Sequence, residues 1–433
     1  MKKAVGPNRR CDAAPDRGRI RVRVRKVMLA AAMLASMPAG AVETSILLSP
    51  VPVEGAEMAY AVAVDGTRIA LGAPGETSAA GALYVVDCAT LPCTLPLRIG
   101  PDDLAAGDMF GAAVDMGGDT LIATAPGPEP GAVYVFVDTG SGWTEQARLT
   151  PTGGSTQERF GISASLSGDR LAIGADGANG KAGAVYVFVR NGTSWTQEAR
   201  LAASDPIPRD AFGSSLSLDG DTLLIGAPLK ASAALGSYAN GAVYVFTRGA
   251  GGWSQQTKLT NTSGSSGDLF GFAVDLHGDR MIVGAPFATS AQGKALMFTR
   301  SGTAWTEQAQ LAATGGAAGD EVGWSVALGD DDLFVGAPFA GQFAGAPCGG
   351  SYEFDAALLA QNGTGSIEAP LLDEMSGWSI AASGTRWTSS APGHLVGAAT
   401  HAGAAYWFDP LITVFHAGFD VSGSCAAVEE PKA

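Results

Sequence analysis

Histidine is nearly missing from this sequence. Four occur in 433 residues, and none recurs at a fixed interval. A zinc site built on repeated His and Cys ligands therefore has no support. Charge is sparse as well: 16% of residues are charged, against 46% hydrophobic. Disordered chains show the opposite balance, so a folded protein is expected. The signatures of common catalysts are absent. There is no Gly-x-Ser-x-Gly elbow, no His-Glu-x-x-His and no Walker loop. The Asp box of sialidases and the WD and kelch signatures are missing too. Carboxylates are plentiful, 42 Asp and Glu, so a glycosidase pair of acids stays open. What abounds is glycine, 60 residues, as in a turn-rich all-β chain.

The N-terminus stands apart. Residues 1–26 carry ten Lys and Arg against Asp12 and Asp16, and 27–38 form an apolar stretch too short for a membrane span. Ala39-Gly40-Ala41 follows as a small-residue cleavage site. Residues 1–41 thus read as a secretory signal peptide. The protein is expected to be exported, to the periplasm, the cell surface or beyond, with no membrane insertion after cleavage. Losing ten positive and two negative charges takes the net charge from −15 to about −23. That excess repels nucleic acid, which is not expected as a partner.

Five cysteines are few, and Cys11 lies in the signal segment. Cys88 and Cys93 flank four residues at hairpin spacing, and export permits their oxidation. Such a bridge contributes about 2 kcal/mol by chain entropy. Pairing them leaves Cys348 with Cys425. Four cysteines allow three connectivities, so this remains a preference.

The rest of the chain is periodic. Residues 209–246 hold four parts in order: Phe212-Gly213 with an alternating segment, an Asp-Gly-Asp turn, an apolar run ending Gly226-Ala227-Pro228, and Gly241 leading AVYVF. Seven copies share the first offset: Met58 to Gly72, Phe110 to Thr124, Phe160 to Gly174, Phe212 to Gly226, Phe270 to Gly284, Val322 to Gly336 and Ser376 to Ser390 are each 14 residues apart. Gly81, Gly131, Gly183, Gly241, Gly293, Gly349 and Gly403 each open a third segment. A Trp at 143, 195, 253 or 305 leads a fourth. Four short strands per unit and seven units predict a β-propeller. AVYVF is apolar at every position, which suits a strand covered on both faces. A run of separate β-sandwiches is disfavoured, because one unit is too small to bury its own core.

Phe-Gly, Gly-Ala-Pro and the Val-Tyr-Val-Phe strand together resemble the FG-GAP repeat of the integrin α-subunit head and of many bacterial surface and secreted proteins. The resemblance covers roughly residues 44–410 and implies an all-β, seven-bladed propeller of four-stranded blades. It does not imply a ligand. The expected domain runs over 42–410, with a tail over 411–433. Residues 44–50 resemble a fourth strand with no unit before it, and unit seven lacks one. An N-terminal strand is therefore expected to close the ring in blade seven, with Leu411–Phe415 as the rival.

The first hairpin of each unit is short and acidic, as at Asp65-Gly66 and Asp219-Gly220-Asp221. Family members often carry a calcium loop there. The 14-residue spacing leaves room only for a tight turn, so no cofactor is expected; calcium would need a loop this sequence lacks. The opposite face carries loops of varying length. Those after Gly-Ala-Pro reach twelve residues at 229–240 and ten at 339–348 and 393–402. Recognition resides in such loops, and in the integrin head this face meets ligand. The candidate contacts are Lys230, Tyr238, Asn240, Phe339, Gln342, Phe343, His394 and His401. The recurring Phe and Tyr read as packing between blades, and the Trp series as edge packing rather than a sugar-stacking platform.

These readings predict a monomeric, non-enzymatic binding or adhesion propeller that recognises protein or glycan through its variable-loop face. The alternative is a carbohydrate-active lyase or hydrolase with its site at the mouth of the central channel. A convergent cluster of His, Arg, Tyr and carboxylates there favours the enzyme. A third reading, part of a larger surface assembly, needs a large exposed apolar patch.

Overall fold

The computed structural model describes residues 43–48 and 55–408, apart from 91–92, 128–129, 155–156, 232–239, 263, 314–315, 341–348, 356–374 and 394–402. They form seven antiparallel sheets, each one blade of a ring. Blade four shows the plan. Strands Ser215–Asp219, Thr222–Ala227, Ala242–Gly249 and Gly252–Leu259 lie side by side in chain order. The first strands of neighbouring blades touch in cyclic order, and Ile380–Ser383 of blade seven reaches Ala61–Asp65 of blade one. The first strands thus surround the channel and the fourth face outward. Blade six has three strands among the described residues.

The cores lie between blades rather than within them, one hydrophobic cluster per gap. This explains the unbroken apolar run of the third strand. In blade three, Ala184, Tyr186 and Phe188 pack toward blade two, while Val185 and Val187 pack toward blade four. Alternate side chains serve different gaps, so every position is apolar.

The motif glycines have a common cause. Each blade opens with a four-residue turn, whose last N–H bonds the first carbonyl: Ser214 to Ala211 at 3.2 Å, Trp324 to Glu321 at 3.1 Å. The third residue needs a positive φ, 91° at Gly213, which a type II turn reserves for glycine. The turn then docks on the preceding blade. A Cβ on Gly226 would sit 2.1 Å from the Gly271 carbonyl oxygen of blade five. Gly241 bridges Phe270 of the same blade. Phe-Gly of one blade thus seats between two glycines of the last.

The ring closes as expected. Glu43–Leu48 pairs antiparallel with Ala404–Phe408, placing Leu48 opposite Ala404. Leu411–Phe415 lies outside the described residues. Cys88 and Cys93 are bonded; Cys348 and Cys425 lie outside the described residues.

Short loops on the variable face are taken up by docking. After Gly-Ala-Pro or its equivalent, blades one, three and five make a single left-handed turn at Thr77–Ala79, Asn179–Lys181 and Thr289–Ala291, with φ of 52–70°. Non-glycine residues resist this by roughly 1–2 kcal/mol each. The compensation is a carbonyl aimed at the next blade: Ala79 accepts from Met109, Lys181 from Ala211 and Ala291 from Glu321.

Candidate functional site

Two concentric sets of side chains mark the channel mouth on the loop face. The outer set precedes Phe-Gly: Glu57, Met109, Arg159, Ala211, Leu269, Glu321 and Met375. All seven hold a positive φ, 53–64°, and backbone strain of this kind concentrates where ligands are gripped. The inner set follows Phe-Gly: Tyr60, Ala112, Ile162, Ser214, Phe272, Trp324 and Trp378. It is lopsided. Blades two to four supply small or aliphatic residues, and blades five, six, seven and one supply rings.

Those rings form one arc. Centroids are 4.7 Å apart for Phe272–Trp324, 4.9 Å for Trp324–Trp378 and 5.5 Å for Trp378–Tyr60. Interplanar angles are 48°, 45° and 50°, close to one-seventh of a full turn. Each ring therefore keeps the same pose on its own blade. Phe339 packs edge-on to Trp324 at 5.4 Å. All five rings are half-buried. Burial pushes the Tyr60 hydroxyl pKa up; Glu57 adds to this, and the Arg159 guanidinium of blade three pulls it back. Burial alone raises Glu321, whose Oε2 is enclosed without a hydrogen-bond partner among the described residues. Of six exposed large hydrophobic residues among the described residues, Met109, Ile207, Leu229 and Phe287 stand in loop-face segments, so that face is also the stickier one.

Deeper in the channel a second asymmetric ring occupies one position per first strand: Ala63, Asp115, Ser165, Ser217, Asp275, Ala327 and Ala381. Asp115 accepts the Leu166 N–H of blade three at 2.7 Å. Ser165 accepts from Leu218 and Ser217 from Leu276, each at 3.0 Å. Asp275 accepts from Leu328 at 2.8 Å. Each polar side chain thus ties its blade to the next. Surrounding protein raises Asp115 to about 6, against its backbone hydrogen bonds and with help from the Asp275 charge; burial raises Asp275 too. Asp115 and Asp275 are half-buried as residues. Among the described residues no three His, Cys, Asp or Glu side chains gather as metal ligands.

The structure separates the expected contacts. Phe339 joins the arc. Lys230 does not reach a surface: its side chain is 3% exposed, and its Nζ lies 2.8 Å from Asp210 and 3.4 Å from Asp205. Asn240 is 2% exposed and donates to the Asn261 carbonyl at 3.3 Å. Both hold the base of the loop, because a long insert needs its ends anchored to the blade. Tyr238, Gln342, Phe343, His394 and His401 lie outside the described residues. The acidic turns are joints between blades: Asp65 accepts the Gly118 N–H at 2.9 Å and Asp219 that of Gly278 at 2.7 Å. The Trp series packs at the outer edge, where Trp195 donates to Gln146 and Trp253 to Glu198.

A recurring clamp joins the third and fourth strands to a loop. The Tyr84, Tyr186 and Tyr244 hydroxyls donate to Glu76, Glu158 and Asp205 at 2.5, 2.5 and 2.6 Å. Tyr134 donates to Asp103 at 3.2 Å. A cation 14 residues after each Tyr completes the group: Arg98, Arg148, Arg200 and Lys258. Burial opposes ionisation of Asp205, yet Lys258, Tyr244 and Lys230 together hold it down to about 2. Blade five has Leu296 and Gln310 at these places, so Tyr and cation are lost together.

The FG-GAP repeat model matches residues 97–136, 143–188, 195–246, 253–298 and 305–354, more than half of the chain. The chain belongs to the FG-GAP repeat family. Each matched window starts on a fourth strand and ends on the next blade's third, so the FG-GAP unit straddles the gap in which the core lies. The propeller extends the pattern to seven blades. No curated protein matches the chain.

Proposed function

We propose that this FG-GAP propeller is an exported, non-enzymatic binding protein that takes its protein or glycan ligand on the loop face. The observation that carries the reading is the arc of half-buried rings at the channel mouth. Aromatic side chains that stay partly open on a rigid frame supply contact area at little entropic cost, and they dominate recognition energetics. The rigid disc, the lopsided mouth and the neighbouring apolar loop residues support one oriented ligand rather than a symmetric plug. The carbohydrate-active enzyme remains the second reading, favoured by the carboxylates Asp115 and Asp275 below the mouth. The test is a binding screen of the full chain against glycans and surface proteins, with and without calcium. The expected result is a ligand whose binding is lost in Trp378→Ala and is insensitive to calcium. Turnover of a bound glycan, abolished by Asp115→Asn, would transfer the assignment to the enzyme.

A further inference from the structure

The arc narrows the chemistry of the ligand, and the step taken here rests on the loop-face reading above. Its shape is a strip. Four consecutive blades contribute Phe272, Trp324, Trp378 and Tyr60, each ring turned by 45–50° from the last. Rings this close pack on one another, so they do not fan out around a central cation as an aromatic cage does. What they offer is a curved row of faces and edges.

The borders of the strip are acceptors. Glu57 and Glu321 hold the strained rim positions three residues before Tyr60 and Trp324. Glu321 Oε2 is enclosed and has no donor among the described residues. The only basic residue of the rim, Arg159, is already paired with Asp176 at 3.0 Å. Among the seven rim residues, anionic ligands therefore meet two carboxylates and no unpaired cation.

We infer that the arc binds a neutral polysaccharide. Pyranose rings stack their C–H faces on Trp324 and Trp378, and sugar hydroxyls donate to the rim carboxylates Glu57 and Glu321, both half-buried. A sugar chain alternates apolar ring faces with hydroxyl edges, which is the pattern of the strip and its borders. A protein partner is the competing occupant. Stable protein interfaces bury roughly 800 Å² per side, more than five half-buried rings expose.

Affinity electrophoresis of the full chain in gels carrying hydroxyethylcellulose, xyloglucan, glucomannan or amylose tests this, with tryptophan fluorescence titrations against the matching hexaoses. At least one neutral glycan retards the protein, and its hexaose shifts the tryptophan emission. Trp324→Ala and Trp378→Ala each weaken binding about tenfold or more, equivalent to about 1.4 kcal/mol. Glu321→Ala weakens it less, Trp324→Phe keeps most of it, and Trp195→Ala at the outer edge changes nothing. Circular dichroism melts of each variant separate lost stacking from lost folding. The inference is overturned if no glycan in the set retards the wild-type protein or moves its emission, or if Trp324→Ala binds as wild type. Should a surface protein bind instead, and Trp324→Ala abolish it, the glycan inference fails while the loop-face reading stands. Binding of neither removes both.

Discussion

Gly226 and Gly251 are the same residue for unrelated reasons. A Cβ at 226 would meet the Gly271 carbonyl oxygen at 2.1 Å, whereas nothing lies within 4 Å of one at 251. Gly226→Ala must therefore push two blades apart, with a cost in the range of overpacking, about 1–3 kcal/mol or more. Gly251→Ala should be neutral or stabilise by up to about 1 kcal/mol, by restricting the unfolded chain. Urea unfolding of the two variants checks the contrast; equal midpoints would remove the docking argument. The channel carboxylate Asp115 makes a second residue-scale prediction. Its folded pKa, about 6, lies above the ordinary carboxylate value of 3.8. The folded state therefore binds the extra proton, and stability falls as pH rises from about 4 to 6, then levels. The half-buried position of Asp115 moderates the effect to about 1–2 kcal/mol. Asp115→Asn should flatten that slope, read from urea midpoints at pH 4, 5, 6 and 7. Asp205, held down to about 2, acts with opposite sign below pH 4, outside this window.

At the scale of elements, what was legible in the sequence is what every blade must repeat. Phe-Gly, Gly-Ala-Pro and AVYVF, or degenerate copies of them, hold the same places in all seven blades, so their spacing betrays the fold. The mouth was not legible, because its column reads Tyr, Ala, Ile, Ser, Phe, Trp, Trp. No consensus exists there, and a search for repetition passes over it. Tabulating the residue after each Phe-Gly is the signal that finds it. The clamp was half legible: Tyr and cation recur at 14 residues, but their carboxylate sits on a loop at no fixed offset. Loop length misled at Lys230, which anchors the insert 229–240 instead of tipping it. Lys230→Ala leaves Asp210, 3% exposed, without its cation. Breaking a buried pair from one side costs about 3–5 kcal/mol. A melting temperature lowered by several degrees, with ligand affinity of the folded protein unchanged, is the expected result. Lost affinity at unchanged stability would restore Lys230 as a contact.

For the whole molecule the decisive joint is the one between the ends of the chain. Every gap has the same core, so a ring has no natural start, and an open array would expose one blade face and one strand edge. Closure uses two devices. Gly403 of blade seven receives Met58 of blade one as every other blade receives its neighbour, with a notional Cβ 2.1 Å from the Met58 oxygen. Glu43–Leu48 then completes blade seven beside Ala404–Phe408. The gap between these blades also buries Leu47 with Trp407, Met58 and Tyr84, so the N-terminal strand belongs to the last core as well as the last sheet. Removing residues 42–52 strips that edge and uncovers Trp407. Because neighbouring gaps share strands, the loss propagates: blade seven loosens, blade one loses its seat, and the rings Trp378 and Tyr60 drift apart. The truncated chain should therefore lose its cooperative melt, expose apolar surface to a dye such as ANS, and lose its ligand with it. A truncated protein that melts within a few degrees of the full chain would show that the first and last blades hold together without the exchanged strand.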